Sequence, residues 1–133
     1  MPKTGTGFSW RSRATSFGYA WEGIRQFLKT EHNARIHLGI TIAVVALSFF
    51  LHISGYEAIA LVIVIALVWI TELLNTAMEK AMDFIAAEKH PQIKWVKDLA
   101  AAAVLVAAFA AVVVGCIVFI PKILYWVYIY FPK

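Results

Sequence analysis

The stretch "AIALVIVIALVWITELLNTAMEKAMDF", residues 58–84, opens with thirteen residues that carry no charge and then sets Glu72, Asn75, Glu79 and Asp83 within the next few turns. The first half asks for burial in hydrocarbon. The second half contradicts a purely apolar setting. Advancing roughly 100° per residue from Glu72 brings Asn75 near 300°, Glu79 near 340°, Asp83 near 20° and Thr76 near 40°. These five polar side chains share one helical face, while Leu73, Leu74 and Ala77 turn elsewhere. The segment is therefore predicted to be an apolar helix with a polar seam along one side.

The rest of the chain supplies the setting. Of 133 residues, 62% are hydrophobic and 15% charged, a balance remote from that of soluble domains. Three apolar runs, 36–53, 58–78 and 99–120, extend roughly 27, 30 and 33 Å as helices, against a hydrocarbon core of about 30 Å. The expected fold is an all-α membrane protein forming one membrane domain. It comprises a flexible N-terminus (1–14), a surface helix (15–34), three transmembrane helices and an interfacial aromatic tail (123–133). The surface helix is predicted from Phe17, Trp21, Ile24 and Leu28, which fall in one stripe with Glu22, Arg25, Gln26 and Lys29 on other faces. Pro121 is expected to stop the third span, leaving Tyr125, Trp126, Tyr128 and Tyr130 in the headgroup zone.

Basic residues orient the chain. Ten of the twelve Lys and Arg precede the first span or lie between the second and third, and the link "HISGYE" has none. The positive-inside rule then places the N-terminus and second loop in the cytoplasm. The net charge of +4 reads as a topology signal, which argues against a nucleic-acid partner. No removable signal peptide is read at the N-terminus. The single Cys116 reads as a small hydrophobe within the third run, and His32, His37, His52 and His90 have no zinc-type spacing.

A carboxylate at the depth of Glu72 costs about 2.5–3.5 kcal/mol at mid-membrane and less toward the edge. Asn75 and Thr76 alone would suit helix packing. Two glutamates at i and i+7 on one face suit it poorly, because like charges repel unless a cation lies between them or one is protonated. Glu31, in "KTEHNARIH", and Asp98, in "WVKDLAAAAVL", can approach the seam from the cytoplasmic side, with Lys97, Arg25 and Arg35 nearby. Asp98 also suits a helix N-terminus, its purely structural reading. Glu31, Glu79 and Asp98 form a donor set for Mg²⁺ and a polyphosphate, since hard cations take oxygen ligands and share them with phosphates. No G-x-x-x-x-G-K-[ST] loop accompanies them. In the third span Ala103, Ala107, Ala111 and Gly115 form a small-residue ridge that permits close helix approach.

The run from Glu72 to Glu79, followed by Asp83, Glu88, His90 and Lys97-Asp98 before an Ala-rich span, resembles the prokaryotic integral-membrane diacylglycerol kinase family. The pattern from Glu31 to His37 and "FIPK" at 119–122 resemble its undecaprenol kinase branch more closely. The resemblance implies a homotrimer in the bacterial plasma membrane that uses ATP and Mg²⁺ to phosphorylate the hydroxyl of diacylglycerol or undecaprenol. It implies Glu72 as general base with Asn75 orienting it, and Glu31 and Glu79 as metal ligands. Tyr19, Glu31, Glu79, Glu88, Lys89, His90, Lys97 and Asp98 are the implied nucleotide contacts, joined by either Arg11 or Arg13. Glu72, Arg35 and Ala101 are the implied lipid-substrate contacts. His37 and Ala101 depart from the diacylglycerol branch, where an acid and a serine stand, and both departures bear on lipid choice. The same intramembrane carboxylates also permit a small proton-coupled transporter or channel, or a non-catalytic assembly subunit.

Overall fold

A computed structural model describes residues 9–85 and 90–130. Four helices follow in order: α1 (Trp10–Thr30), α2 (His32–Phe50), α3 (Gly55–Ile85) and α4 (Pro91–Tyr130). The architecture is all-helical, and α2, α3 and α4 are each long and apolar enough to cross a membrane.

Each boundary has a local cause. Ser9 is extended and its hydroxyl accepts from the Ser12 N–H at 3.5 Å, a side-chain N-cap that starts α1 ahead of the expected position 15. The helix closes at Glu31, whose extended backbone is a one-residue joint to α2, so Arg35 and His37 belong to α2. At the far end of α2, His52 N–H reaches Phe49 O and Ile53 N–H reaches Ser48 O, the paired bonds of a Schellman stop. Its left-handed position is held by His52 at φ 49°, where glycine is the usual occupant. The next helix begins with a reciprocal capping box: Ser54 N–H donates to the Glu57 carboxylate at 2.6 Å and Glu57 N–H to the Ser54 hydroxyl at 3.3 Å.

Pro91 opens α4, as its missing N–H is harmless at a first helical position, and the His90 ring Nδ1 accepts from Gln92 N–H at 3.2 Å. Contrary to the sequence expectation, α4 does not stop at Pro121 but continues to Tyr130. Contacts on the far side hold it: Lys122 Nζ lies 3.2 Å from Glu57, and the Trp126 ring meets Phe50 at 5.9 Å and Tyr130 at 4.9 Å. A proline in an apolar helix is tolerated where neighbours fix the continuation.

The main packing is between α3 and α4, which run antiparallel. Lys97 bridges Asp83 at one end and Lys122 bridges Glu57 at the other. Twenty-six residues separate the bridged positions on α3 and twenty-five on α4, so the register holds over the whole length. The ridge residue Ala107 is buried between them, and Leu61, Val118 and Phe119 form the core cluster near the α2–α3 link.

By contrast, α2 touches α3 only sparsely, and an apolar cavity of about 360 Å³ lies among α2, α3 and α4. On the α1 side it is closed by Trp69, whose indole N–H donates to the Thr41 hydroxyl at 3.1 Å. The Phe27 ring, only 5% exposed, packs edge-on against the same indole. Phe27 was not in the expected stripe; Phe17 and Trp21, which were, are 78% and 69% exposed.

Candidate active site

One stripe of α3 is buried: Leu61, Val64, Val68, Glu72, Asn75 and Thr76. Steps of three and four residues keep these positions on the α4-facing side. The polar seam is thus the continuation of the apolar packing stripe, with chemistry substituted for aliphatics in its last two turns. Glu72 is 3% exposed, and its carboxylate makes no hydrogen bond or ion pair among the described residues. A buried carboxylate without a partner is costly, and such a group is retained for function far more readily than for packing.

One turn on, Asn75 donates from Nδ2 to Glu79 Oε1 at 3.2 Å, which fixes its amide orientation. Its Oδ1 is buried and accepts nothing among the described residues. An amide oxygen with no donor, next to a positioned carboxylate, is an open acceptor on the seam. Toward the α2–α3 link the same stripe offers only Val68, Val64 and Leu61, so no polar path continues along it. The transporter reading loses its physical basis there.

Beyond the seam, acids are met by lysines. Glu31 receives both Lys80 Nζ and the Thr30 hydroxyl at 3.0 Å, each on Oε1. The Lys80 ammonium first, then the Thr30 hydroxyl, hold the Glu31 carboxyl below its ordinary range, so it stays ionised. Lys97 donates to Asp83 at 2.9 Å, and Lys94 is paired with Asp98 one turn along α4. Asp98 does not sit at a helix N-terminus, because Pro91 starts α4 two turns earlier. The structural reading of Asp98 as a dipole partner therefore fails.

Among the predicted site residues, the structure directly joins Asn75 with Glu79, with Glu72 one turn back on the same buried stripe. It links Glu31 to α3 through Lys80 and Lys97 to α3 through Asp83. His90 caps α4, while Tyr19 on α1, Arg35 on α2 and Ala101 on α4 are exposed. Arg11 and Arg13 fall in the first turn of α1. Glu88 and Lys89 lie outside the described residues. Among the described residues no three His, Cys, Asp or Glu side chains converge as a metal cage. Sequence reasoning missed Lys80 and Lys94. The i,i+4 spacing of Lys94 and Asp98 was a readable signal, whereas nothing in the sequence pairs Lys80 with a residue forty-nine positions earlier.

Known proteins share this arrangement of sequence. Residues 18–119 match the family described as prokaryotic diacylglycerol kinase. A diacylglycerol kinase of Synechocystis is 40% identical over 110 residues, 82% of this chain, and the match spans 63% of that protein's length. An undecaprenol kinase of Bacillus subtilis is 36% identical over 81% of this chain and 88% of its own. A diacylglycerol kinase of Escherichia coli K12 is 32% identical over 88% of this chain and 94% of its own. With a family match over most of its length, and the seam from Glu72 to Glu79 inside the matched part, the chain belongs to the prokaryotic diacylglycerol kinase family, a family of lipid kinases.

Proposed function

We propose that this protein transfers the γ-phosphate of ATP to the hydroxyl of a membrane lipid alcohol, diacylglycerol or undecaprenol, at the cytoplasmic side of the bacterial plasma membrane. The observation that carries the reading is Glu72, an unpartnered carboxylate buried on an apolar helix beside Asn75 and Glu79. Phosphoryl transfer asks mainly for positioning and charge stabilisation, with a carboxylate to take the proton of the attacking hydroxyl. Glu72 is that base, and Asn75 orients the groups around it. The positions bridged at the two ends of α3 are about 39 Å apart along the helix, more than the hydrocarbon core, so both ion pairs fit the headgroup zones. With the core centred between them, Glu72 lies about 12 Å inside the cytoplasmic edge and Glu79 close to it. A lipid hydroxyl reaches the first from within the bilayer and a nucleotide reaches the second from outside.

The donor chemistry fits Mg²⁺. Glu79 is a positioned carboxylate, the neighbouring Asn75 Oδ1 is an open acceptor, and Glu31 is ionised. Magnesium takes one or two protein carboxylates and completes its shell with water and substrate phosphate, so a full protein cage is not required. Glu31 and Glu79 would hold the ion, which supplies neutralisation of the polyphosphate charge. Tyr19, Glu88, Lys89, His90, Lys97 and Asp98 serve the nucleotide, and Arg35 and Ala101 the lipid. The apolar cavity beginning at Val68 and Trp69, one turn from Glu72, suits a hydrocarbon chain. The exposed Phe17 and Trp21 stripe of α1 rests in the cytoplasmic interface, and the exposed apolar faces of the spans serve a homotrimer.

The test is phosphate transfer from labelled ATP, with Mg²⁺, to diacylglycerol and to undecaprenol in separate defined micelles. Labelled lipid in one of them is expected and names the substrate. Label in neither overturns the reading.

A further inference from the structure

The seam and its nucleotide side leave Lys80 without a role. It follows Glu79 directly on α3, so a rotation of about 100° turns it off the α4-facing stripe. There it crosses to the joint between α1 and α2 and bridges Glu31, 3.0 Å from Oε1. The Thr30 hydroxyl lies 3.0 Å from the same oxygen and 3.1 Å from the Gln26 carbonyl, so its single proton is shared between them and Lys80 is the full donor to Oε1. The Lys80 side chain is 65% exposed and that of Glu31 25% exposed, so the lysine can leave while the carboxylate stays largely fixed. A long aliphatic stem with a compact ammonium suits such exchange.

We propose that Lys80 is the resident counter-ion of Glu31 and sets how tightly this rim takes a divalent cation. The inference rests on the proposed reading of Glu31 as a metal ligand. With Lys80 in place the Glu31 site is electrically balanced, and a cation must displace the ammonium before using that oxygen. Displaced, the ammonium stays on the cytoplasmic rim, one residue from Glu79, where it is available to phosphate oxygens. Lys80 therefore weakens binding of the bare cation and favours a cation that arrives together with an anion. It is a positioning residue acting through Glu31.

The experiment is titration of the full chain in detergent micelles with Mn²⁺ alone, following loss of the free-ion electron paramagnetic resonance signal, with no nucleotide or lipid present. Lys80→Gln is expected to bind Mn²⁺ about fivefold more tightly than the wild type, the scale of an exposed charge pair. Lys80→Arg, which keeps the charge, is expected to stay within about twofold on the same scale. The gain of Lys80→Gln is expected to vanish when Glu31→Gln is added. Unchanged or weaker binding by Lys80→Gln overturns the proposal, as does a gain that survives Glu31→Gln. If Glu31→Gln alone binds Mn²⁺ like the wild type, the ligand reading of Glu31 fails, and this inference with it. If Glu31→Gln weakens binding while Lys80→Gln changes nothing, only the inference about Lys80 fails.

Discussion

Two acids of α3, Glu57 in its first turn and Glu72 near its middle, are treated in opposite ways. At the α2–α3 link Glu57 accepts from the Ser54 N–H, completes a capping box and bridges Lys122. Further along the helix Glu72 is more deeply buried and has no partner among the described residues. Glu57 is an acid used as a joint, and the difference supports the proposed reading of Glu72 as an acid kept for chemistry. Substitutions should separate the two roles cleanly.

The largest effect is expected at Glu72. Glu72→Gln keeps size and removes the base, and it should lower kcat by about 10²–10⁴-fold with an unchanged helical circular dichroism spectrum. Near-normal turnover would erase the contrast. Asp83→Asn releases Lys97 from its 2.9 Å partner and should raise KM for ATP about fivefold, with little change in KM for lipid, in steady-state assays varying each substrate. Glu57→Gln should do the reverse. Activity per folded molecule stays near wild type, while the thermal midpoint falls by about 5 °C as the cap and the bridge weaken together. The smallest effect is His52→Gly, which relieves the φ 49° backbone and should stabilise the chain by about 1 kcal/mol in denaturant unfolding, leaving kinetics untouched.

The sequence made the three long apolar helices legible through length and composition, and the polar seam through its angular spacing. Glu72, Asn75 and Thr76 are the buried polar residues among those described, on the face that the 100° count assigned them. Helix ends were read less well. Pro121 is a terminator by its local effect, whereas Lys122 and Trp126 are held by Glu57 and Phe50 from other helices, a tertiary effect that no local signal carries. The S-x-x-E box at Ser54 was readable and would have placed the start of α3. Glu31 reads from the sequence as the junction of surface helix and first span, but the expected helix bound at 34 overshoots it, since the extended backbone there accompanies a bridge to Lys80 on a distant helix. Likewise, the aromatic stripe of α1 indicated an exposed face, but the ring that ties α1 to α3 is Phe27, next to that stripe.

The two end bridges turn the α3–α4 pair into a strut of fixed length, and a strut has consequences for the lipid around it. Its apolar middle has one natural match in membrane thickness. A thinner membrane is accommodated by tilt, which would shift Glu72 relative to the layer where lipid alcohols present their oxygens. If Glu72 is the base proposed above, turnover is expected to vary with acyl-chain length in the surrounding bilayer.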